Sequence, residues 1–336
     1  MKNIYDIAKM SGVSIATVSR VINGSDRVSA KTREKVLKVI EEEGYSPNVF
    51  AQGLGLKTMH MVGIMVPVIT DIYMSMAVYY LEEALGEIGY DCLLSCTGFH
   101  LEEKEVHTNM LIEKHMDALI YVGSTYAGKN KSRHETDYIR EAAEKVPVFI
   151  INGAVDGENI WSTVSEDFKA VHSAVTSLIK SGRKNILFLS DSESYSARQK
   201  LAGYEAALTD AGLPVRGEYR LHLRNDNIHY VRDVLLSHRD LNFDAAVAAA
   251  DSIALGVLKY SRIRGLKVPE DLSIIGYNNS VLAIGCDPEI TSIDNHIEDA
   301  CRITVKRMNQ VLQGNKDLDP SVIVPCTLYK RCTTDF

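Results

Sequence analysis

Residues 4–23 of the chain read IYDIAKMSGVSIATVSRVIN. Apolar residues spaced three and four positions apart predict one short helix from Ile4 to Met10 and a second from Ile15 to Asn23. Gly12, between them, supplies the backbone freedom of a tight turn, and Ser14 can cap the second helix by accepting from its first N–H groups. Two short helices joined by a glycine-containing turn form a helix-turn-helix.

A third helix is predicted from Ala30 to Glu43, capped by Ser29 and ended by Gly44. The second helix of a helix-turn-helix lies in the DNA major groove with its first turn toward the base edges. There Arg20 could offer two donors to a guanine, while the apolar positions beside it could contact a thymine methyl group. The candidate DNA-binding residues of this head are Ser14, Ile15, Ala16, Thr17, Arg20, Asn23, Ser29 and Thr32. The alternative from spacing alone is a small three-helix bundle with solvated polar faces.

The charge of the chain is unevenly distributed. The 336 residues carry a net charge of −7, but residues 1–40 alone carry +5, which leaves −12 for the remainder. A basic head on an acidic body suits a head that meets phosphates.

Several runs of the head resemble the LacI/GalR family of bacterial repressors. They are residues 4–9, 12–23, 32–33 and 44–48, and residues 14–20 are most similar to the branch that includes the catabolite control protein. The resemblance implies a homodimer in which each head, residues 1–47, binds one half of a pseudo-palindromic operator.

The resemblance also implies a hinge at residues 48–59, which folds into a helix on operator DNA. Leu54 takes the place of the leucine that wedges into the minor groove and kinks the duplex. Gln52 stands where relatives carry a charge, and each glycine, at 53 and 55, costs a helix about 0.8–1 kcal/mol relative to alanine. We therefore expect the chain to bind its operator more weakly than a typical family member does. Alternatively, folding of the hinge into a helix depends more on the effector. The alternative is an ordinary flexible linker.

The body, residues 60–336, alternates apolar strands with amphipathic helices, beginning with a strand at 62–66 and a helix at 72–88. Near-continuous apolar strands separated by helices predict parallel sheets that are covered on both faces. The fold class expected is an all-α helix-turn-helix head plus an α/β body with two doubly wound parallel-sheet subdomains. The resemblance extends over the body and implies subdomains of the periplasmic-binding-protein type. It places the N-lobe at 60–160 and 292–322 and the C-lobe at 161–291 and 323–336.

Polar side chains that follow the predicted strands are candidates for ligand binding, because ligands in such folds bind beyond the carboxyl ends of the strands. Carboxylates and amides suit a polyhydroxy ligand, and a tyrosine can stack on a sugar face. The candidates are Asp71, Tyr73, Thr125, Asn152, Tyr195, Arg198, Asp251, Asn278 and Asn279.

The match of the body to the family assigns effector hydroxyls to Arg198 and Asp251, with Asn278 or Asn279 beside them. Relatives usually carry Asp at the position of Asn278, so the identity of the effector stays open. Asp251 precedes a predicted helix, and the alternative for this residue is an N-cap.

No constellation of residues predicts catalysis. The sequence has no phosphate-binding glycine motif in the right context and no nucleophile elbow, and its six cysteines show no paired zinc spacing. We therefore expect no enzyme, no cofactor and no metal. The N-terminus lacks a signal peptide and no apolar run could span a membrane, which predicts a cytoplasmic protein without a membrane partner.

The sequence thus predicts a repressor whose affinity for DNA is set by a small, sugar-like effector between the lobes. Whether the effector induces or corepresses is not encoded in these residues. One alternative is control by a phosphorylated protein, received by Arg302, Lys306 and Arg307 on one predicted helix. A solute-binding protein is a further alternative, disfavoured by the basic head. No heptad repeat follows the body, which favours a dimer without pairing into tetramers.

Overall fold

A computed structural model of the chain describes residues 2–22, 24–45, 58–128, 133–238 and 240–336. These residues divide into two compact units. One runs from the N-terminus to Met61 and includes His115–Asp117, and the other comprises Val62–Lys114 and Ala118–Phe336.

The first unit contains the three predicted helices: α1 (Ile4–Ser11), α2 (Ile15–Ile22) and α3 (Ala30–Glu42). They enclose a small apolar core made of Ile7, Ala8, Val18, Val21 and Val36. The predicted helical head is therefore confirmed, with helix ends that differ by about a residue from the expected ones.

The turn chemistry of the head follows its sequence. Gly12 ends α1 with a left-handed φ of 62°, a conformation that glycine adopts without strain. Asn3 begins the same helix with a reciprocal capping box shared with Asp6, a signal that the sequence analysis did not use. The side chain of Leu37 is 48% exposed, because α3 turns its neighbour Val36 toward the core.

The second unit contains strands from both predicted sheets. In chain order they are β1 (Met61–Val66), β2 (Asp91–Cys96), β3 (Ala118–Val122), β4 (Val148–Ile151), β5 (Ile160–Ser165), β6 (Ile186–Ser190), β7 (Arg220–His222), β8 (Ala245–Ala248), β9 (Ser273–Tyr277), β10 (Thr291–Asp294), β11 (Ser321–Val324) and β12 (Thr327–Tyr329).

Helices cover these sheets. They are α4 (Ile72–Glu87), α5 (Leu101–Glu113), α6 (Asp137–Ala143), α7 (Asp167–Lys180), α8 (Tyr195–Asp210), α9 (Ile228–Ser237), α10 (Asp251–Arg264), α11 (Val281–Ile284) and α12 (Ile297–Leu312).

Within the described residues, the strands form two six-stranded sheets, in the orders β11-β5-β4-β3-β1-β2 and β12-β10-β9-β8-β6-β7. Strand β12 pairs antiparallel with β10, while the other recorded pairings within the second sheet are parallel. The α/β body with two doubly wound sheets is confirmed. We call the part around the first sheet the N-lobe and the part around the second sheet the C-lobe.

Over the part of the body that the structure describes, the chain crosses between the lobes three times, at Glu166, at Asn295–His296 and at Pro325–Cys326. Each crossing lies a few residues later than expected from the boundaries near 160, 291 and 323. Those boundaries fall inside or at the start of β5, β10 and β11, which carry serine and threonine among their apolar residues and were not predicted as strands.

Helices pack against the sheets to form the core of each lobe. In the N-lobe, α4 and α12 pack on one face of the first sheet and bury Ala77, Leu81 and Met308. In the C-lobe, α7 lies so close to α8 that a Cβ atom on Gly203 would stand 2.3 Å from the carbonyl oxygen of Phe168. This close approach requires glycine at position 203.

Candidate nucleic-acid surface and ligand cavity

The N-terminal end of α2 presents one exposed surface of the head. Ser14, Ile15, Ala16 and Arg20 are exposed, whereas Val18 on the opposite side of the helix is fully buried. The division follows the helical period, because residues three and four apart share a face. The structure thus brings the candidates on α2 together on a single accessible surface.

Two serine caps shape this surface. The backbone N–H of Thr17 donates to Oγ of Ser14 over 3.2 Å, and the N–H of Thr32 donates to Oγ of Ser29 over 3.3 Å. In each pair the two side-chain oxygens are 2.9 Å apart. The predicted caps are therefore present, and each leaves a serine and a threonine hydroxyl at a helix N-terminus, where an anion is favoured.

Two candidates of the DNA-binding set, Asn23 and Leu54, lie outside the described residues, as does the segment 46–57 that holds most of the expected hinge.

The body contains a cavity of about 1390 Å³ lined by residues from both lobes. The N-lobe contributes Asp71, Tyr73, Thr125 and Asn152, each located after a strand of the first sheet. The C-lobe contributes the remaining candidates that reach the wall, which are Asp251, Asn278 and Asn279. Seven of the nine effector candidates are thus brought together.

Tyr195 and Arg198 are not among the residues that line the cavity. One guanidinium nitrogen of Arg198 donates to the carbonyl oxygen of Glu193 over 2.7 Å and to that of Gly128 over 3.3 Å. Both residues belong to the first turn of α8, and these carbonyl contacts hold the arginine beside the cavity rather than in its wall.

Lys200 lines the cavity and was missed by the sequence analysis. It is only 6% exposed, and its Nζ donates to the carbonyl oxygen of Ala249 over 3.1 Å and lies 3.5 Å from the ring centroid of Tyr277. The signal was present in the helical period, since Lys200 lies four residues from buried Ser196 and Tyr204 on the inward stripe of α8. A lysine on an apolar stripe indicates a buried cation with a specific partner.

Partly buried carboxylates dominate the electrostatics of the cavity wall. Burial raises the pKa of Asp71 and of Asp191, and the nearby charge of Asp226 raises both further. Burial lowers the pKa of Lys200, an effect opposed by the charge of Asp167. Among the described residues that line the cavity, carboxylate side chains outnumber the lysine and arginine side chains.

Asp251 begins α10 but does not cap it, because the N-cap position is Ala250. One carboxylate oxygen of Asp251 accepts from Oγ of Ser292 and the other from the backbone N–H of Ser280, both over 2.6 Å. The side chain thus ties α10 to the strand β10 and to the start of α11, at the edge of the cavity.

Asn152 provides an acceptor without a protein partner. It is 8% exposed and lines the cavity, and its Oδ1 has no hydrogen-bond partner among the described residues. A buried polar atom without a partner costs free energy, so a ligand hydroxyl that reaches Oδ1 would recover that cost.

The basic residues of α12 do not form an open phosphate site. The guanidinium of Arg302 pairs with Glu83, Glu87 and Glu298 at 3.0–3.1 Å. Arg307 is buried and donates to the backbone carbonyl oxygens of Ser162 and Asp319. Two of the three side chains proposed for a phosphorylated partner are therefore engaged within the protein.

Within the described residues, no group of histidine, cysteine, aspartate or glutamate side chains has the arrangement of a metal site. Over the same ranges, the helices are too short or too polar to cross a bilayer.

Comparisons with known proteins identify the family of the chain. Residues 3–48 match the family described as "Bacterial regulatory proteins, lacI family", and residues 175–334 match the "Periplasmic binding protein-like domain". An HTH-type transcriptional regulator of Lachnoclostridium phytofermentans is 46% identical over 336 residues, which span 99% of this chain and 100% of the relative. Catabolite control protein A of Priestia megaterium is 35% identical and is aligned over 91% of this chain and 92% of its own length.

Among solved structures, the Lac repressor dimer bound to operator and the anti-inducer ONPF is similar, with a TM-score of 0.88, 25% identity and 99% coverage of both chains. The relatives are regulators of transcription, so the prediction that the chain is not an enzyme is confirmed. The chain is a DNA-binding transcription regulator, and it belongs to the LacI family of bacterial regulatory proteins.

Proposed function

We propose that this regulator is a homodimeric repressor that binds a pseudo-palindromic operator and is controlled by a small, sugar-like effector in the cavity. The observation that carries the proposal is the pairing of two separate features in one chain. The head has an exposed face on α2, and the body has a polar cavity of about 1390 Å³ lined by both lobes. A regulator that binds the chromosome works in the cytoplasm.

The proposed contacts with DNA follow from the surface of the head. Arg20 would donate to a guanine, and Ile15 and Ala16 would contact thymine methyl groups. Ser14 and Thr32 would bind phosphate oxygens beside the N-termini of α2 and α3. The Lac repressor structure, a dimer on its operator, supports a dimer in which two heads occupy two half-sites.

The proposed effector is a neutral polyhydroxy compound. Its hydroxyl groups would donate to the carboxylate of Asp71 and to Oδ1 of Asn152, and would accept from Nζ of Lys200. The ring of Tyr73, also in the wall, offers an apolar face to a sugar ring. The excess of carboxylates disfavours an anionic effector such as a sugar phosphate or a sugar acid.

Control of DNA binding requires that the effector bind one arrangement of the lobes more tightly than another. The cavity satisfies the geometric condition, because its wall includes side chains from both lobes. A ligand that contacts both walls favours one separation of the lobes over others.

Selection of duplexes from a random DNA pool by the full-length chain tests the DNA-binding half of the proposal. We expect an enriched pseudo-palindrome, and Arg20→Ala should weaken binding to it by about 1–3 kcal/mol and relax the preference at one base pair of each half-site. Arg27→Ala is the matched control, because it removes the same charge from an exposed position of the head outside α2. Enrichment of no sequence, or equal losses from both variants, would contradict the proposal.

A further inference from the structure

All three crossings between the lobes have contacts with two consecutive residues, Tyr277 and Asn278, at the end of β9. The hydroxyl of Tyr277 donates to the carboxylate of Asp167, which directly follows the first crossing. Nδ2 of Asn295, in the second crossing, donates to Oδ1 of Asn278 over 3.0 Å. The hydroxyl of Tyr277 also lies 3.6 Å from Sγ of Cys326, in the third crossing.

The contact between Tyr277 and Asp167 is shielded from water, and the contacts with Asn278 and Cys326 are partly buried. Tyr277 is 1% exposed, while Asp167 and Asn295 are each 2% exposed. Hydrogen bonds to a carboxylate are stronger than neutral ones, and a low local dielectric strengthens them further.

Lys200 connects this cluster to the cavity. Its Nζ lies 3.5 Å from the centroid of the Tyr277 ring, within the range of a cation–π interaction, and the same residue lines the cavity. The charge of Asp167 stabilises the protonated lysine. Tyr277 therefore has the cavity lysine against its ring and the first and third crossings at its hydroxyl group.

We propose that Tyr277 and Asn278 are positioning residues that hold the three crossings together and couple them to Lys200 in the cavity wall. A ligand that draws Nζ of Lys200 away from the ring loosens the hold on the crossings, and one that leaves it in place maintains that hold. Domain movements of this kind depend on a few residues at the ends of elements, where the backbone absorbs the change. A role of this coupling in regulation rests on the proposed function, in which an effector binds in the cavity.

The reactivity of Cys326 measures how firmly the crossings are held. Burial raises the pKa of Cys326 to about 11, and the hydrogen bond with Tyr277 opposes that rise. Tyr277→Phe removes this hydroxyl alone, so a purely local effect would leave less thiolate and slow the reaction with an alkylating agent. Loosened crossings would instead expose the thiol and accelerate the reaction. The two explanations thus predict opposite signs.

The experiment is alkylation of the native full-length chain by iodoacetamide, followed at each cysteine by peptide mass spectrometry. We expect Tyr277→Phe to accelerate the reaction at Cys326 by about tenfold, which corresponds to roughly 1.4 kcal/mol. Cys301, fully buried in the core of the N-lobe, should react at an unchanged rate and so reports on general unfolding. Tyr204→Phe is the matched control, because its buried hydroxyl donates to the carbonyl oxygen of Ile186 in the same lobe.

A slower or unchanged rate at Cys326 would overturn the proposal, as would equal acceleration at Cys326 and Cys301 or an equal effect of Tyr204→Phe. Lys200→Met tests the link to the cavity. In the double variant with Tyr277→Phe, the alkylation rate at Cys326 should differ by at least about threefold from the rate expected if the two single effects were independent. The reason is that the two residues are in contact. Additive effects would overturn the coupling to Lys200. Neither DNA nor an effector is needed, so this outcome is independent of the test of the proposed function.

Discussion

The charged residues of the cavity show how burial alters individual side chains. Asp71, Asp191 and Asp226 all line the cavity. Oδ2 of Asp226 accepts from Oγ of Ser252 over 2.7 Å. Loss of solvation raises the pKa of Asp71 and Asp191, and mutual repulsion with Asp226 adds to the rise. Loss of solvation therefore makes the charged form of Asp191 costly to the fold, whereas Oδ1 of Asp71 accepts from the backbone N–H of Met74 at the start of α4.

Asp191→Asn should therefore stabilise the body at neutral pH. A carboxyl group whose folded pKa is raised binds its proton more tightly in the folded protein, so stability falls as pH rises from the unfolded value of 3.8 through the folded pKa. The cost is fully present above the folded pKa, and asparagine removes it. We expect the midpoint of thermal unfolding to rise by about 2 °C at pH 7, and the difference to vanish as pH is lowered toward 3.8.

Thermal unfolding followed by circular dichroism between pH 4 and pH 8 checks this expectation, with the exposed Asp156→Asn as the control. If Asp191→Asn is less stable than the wild type at pH 7, or if its gain in unfolding midpoint does not change with pH, burial of the charged Asp191 carboxylate does not destabilise the fold.

The residues of the site could be predicted from the sequence only where strand ends reveal them. The position after a parallel strand is enough to place Asp71 and Asn152 at the cavity, because that edge of a sheet is where ligands bind. A residue on a helix is harder to place. Arg198 was assigned by the match of the body to the family, yet it does not line the cavity, whereas Lys200 does, two positions and therefore about half a helical turn away. Such a distinction depends on the rotation of α8, which local sequence does not fix.

At the scale of secondary-structure elements, the contact between α7 and α8 is set by one glycine. A Cβ atom on Gly203 would stand 2.3 Å from the carbonyl oxygen of Phe168, so any side chain forces the two helices apart. Gly86, on an exposed position of α4, has open space where a Cβ atom would be added. The same substitution should thus have opposite effects at the two positions.

Gly203→Ala should destabilise the protein by about 1–3 kcal/mol, because a methyl group inserted into a packed contact moves backbone as well as side chains. Gly86→Ala should be neutral or should stabilise by about 0.5–1 kcal/mol, since alanine loses less conformational freedom than glycine in a helix. Urea unfolding of both variants, followed by far-ultraviolet circular dichroism, checks the pair. Equal destabilisation by the two substitutions would indicate that helix packing does not depend on Gly203.

Buried strands could be predicted from the sequence where they are made of apolar residues, but not where they contain serine and threonine. Strands β3 and β8 are fully buried apolar runs, and their sequences predict strands at 118–122 and 245–249, almost to the residue. Strands β5 and β10 are equally buried but contain serine and threonine whose hydroxyl groups find partners from distant parts of the chain, such as Thr163 with Thr304 and Ser292 with Asp251. Those partners are tertiary, so no local pattern reveals them.

At the scale of the whole molecule, the chain contains two compact units with separate cores. The core of the head contains five fully packed apolar side chains, whereas each lobe of the body has a much larger core. A small core gives small stability, so the head should unfold at a lower temperature than the body. Ligands of the two units should then act on different transitions.

Differential scanning calorimetry of the full-length chain can separate these transitions in the presence of neutral sugars, sugar acids, sugar phosphates and nucleosides. A compound that binds the cavity, at about 100 times its dissociation constant, should stabilise the body by roughly 2.7 kcal/mol and leave the transition of the head unchanged when no DNA is present. We expect such a shift from a neutral sugar, and Lys200→Met should abolish it, whereas Tyr204→Phe should retain it because that side chain does not line the cavity.

A shift produced only by sugar phosphates would contradict the neutral effector, since the wall is rich in carboxylates. The absence of a shift from every compound would contradict an effector of these classes and favour control by a partner protein.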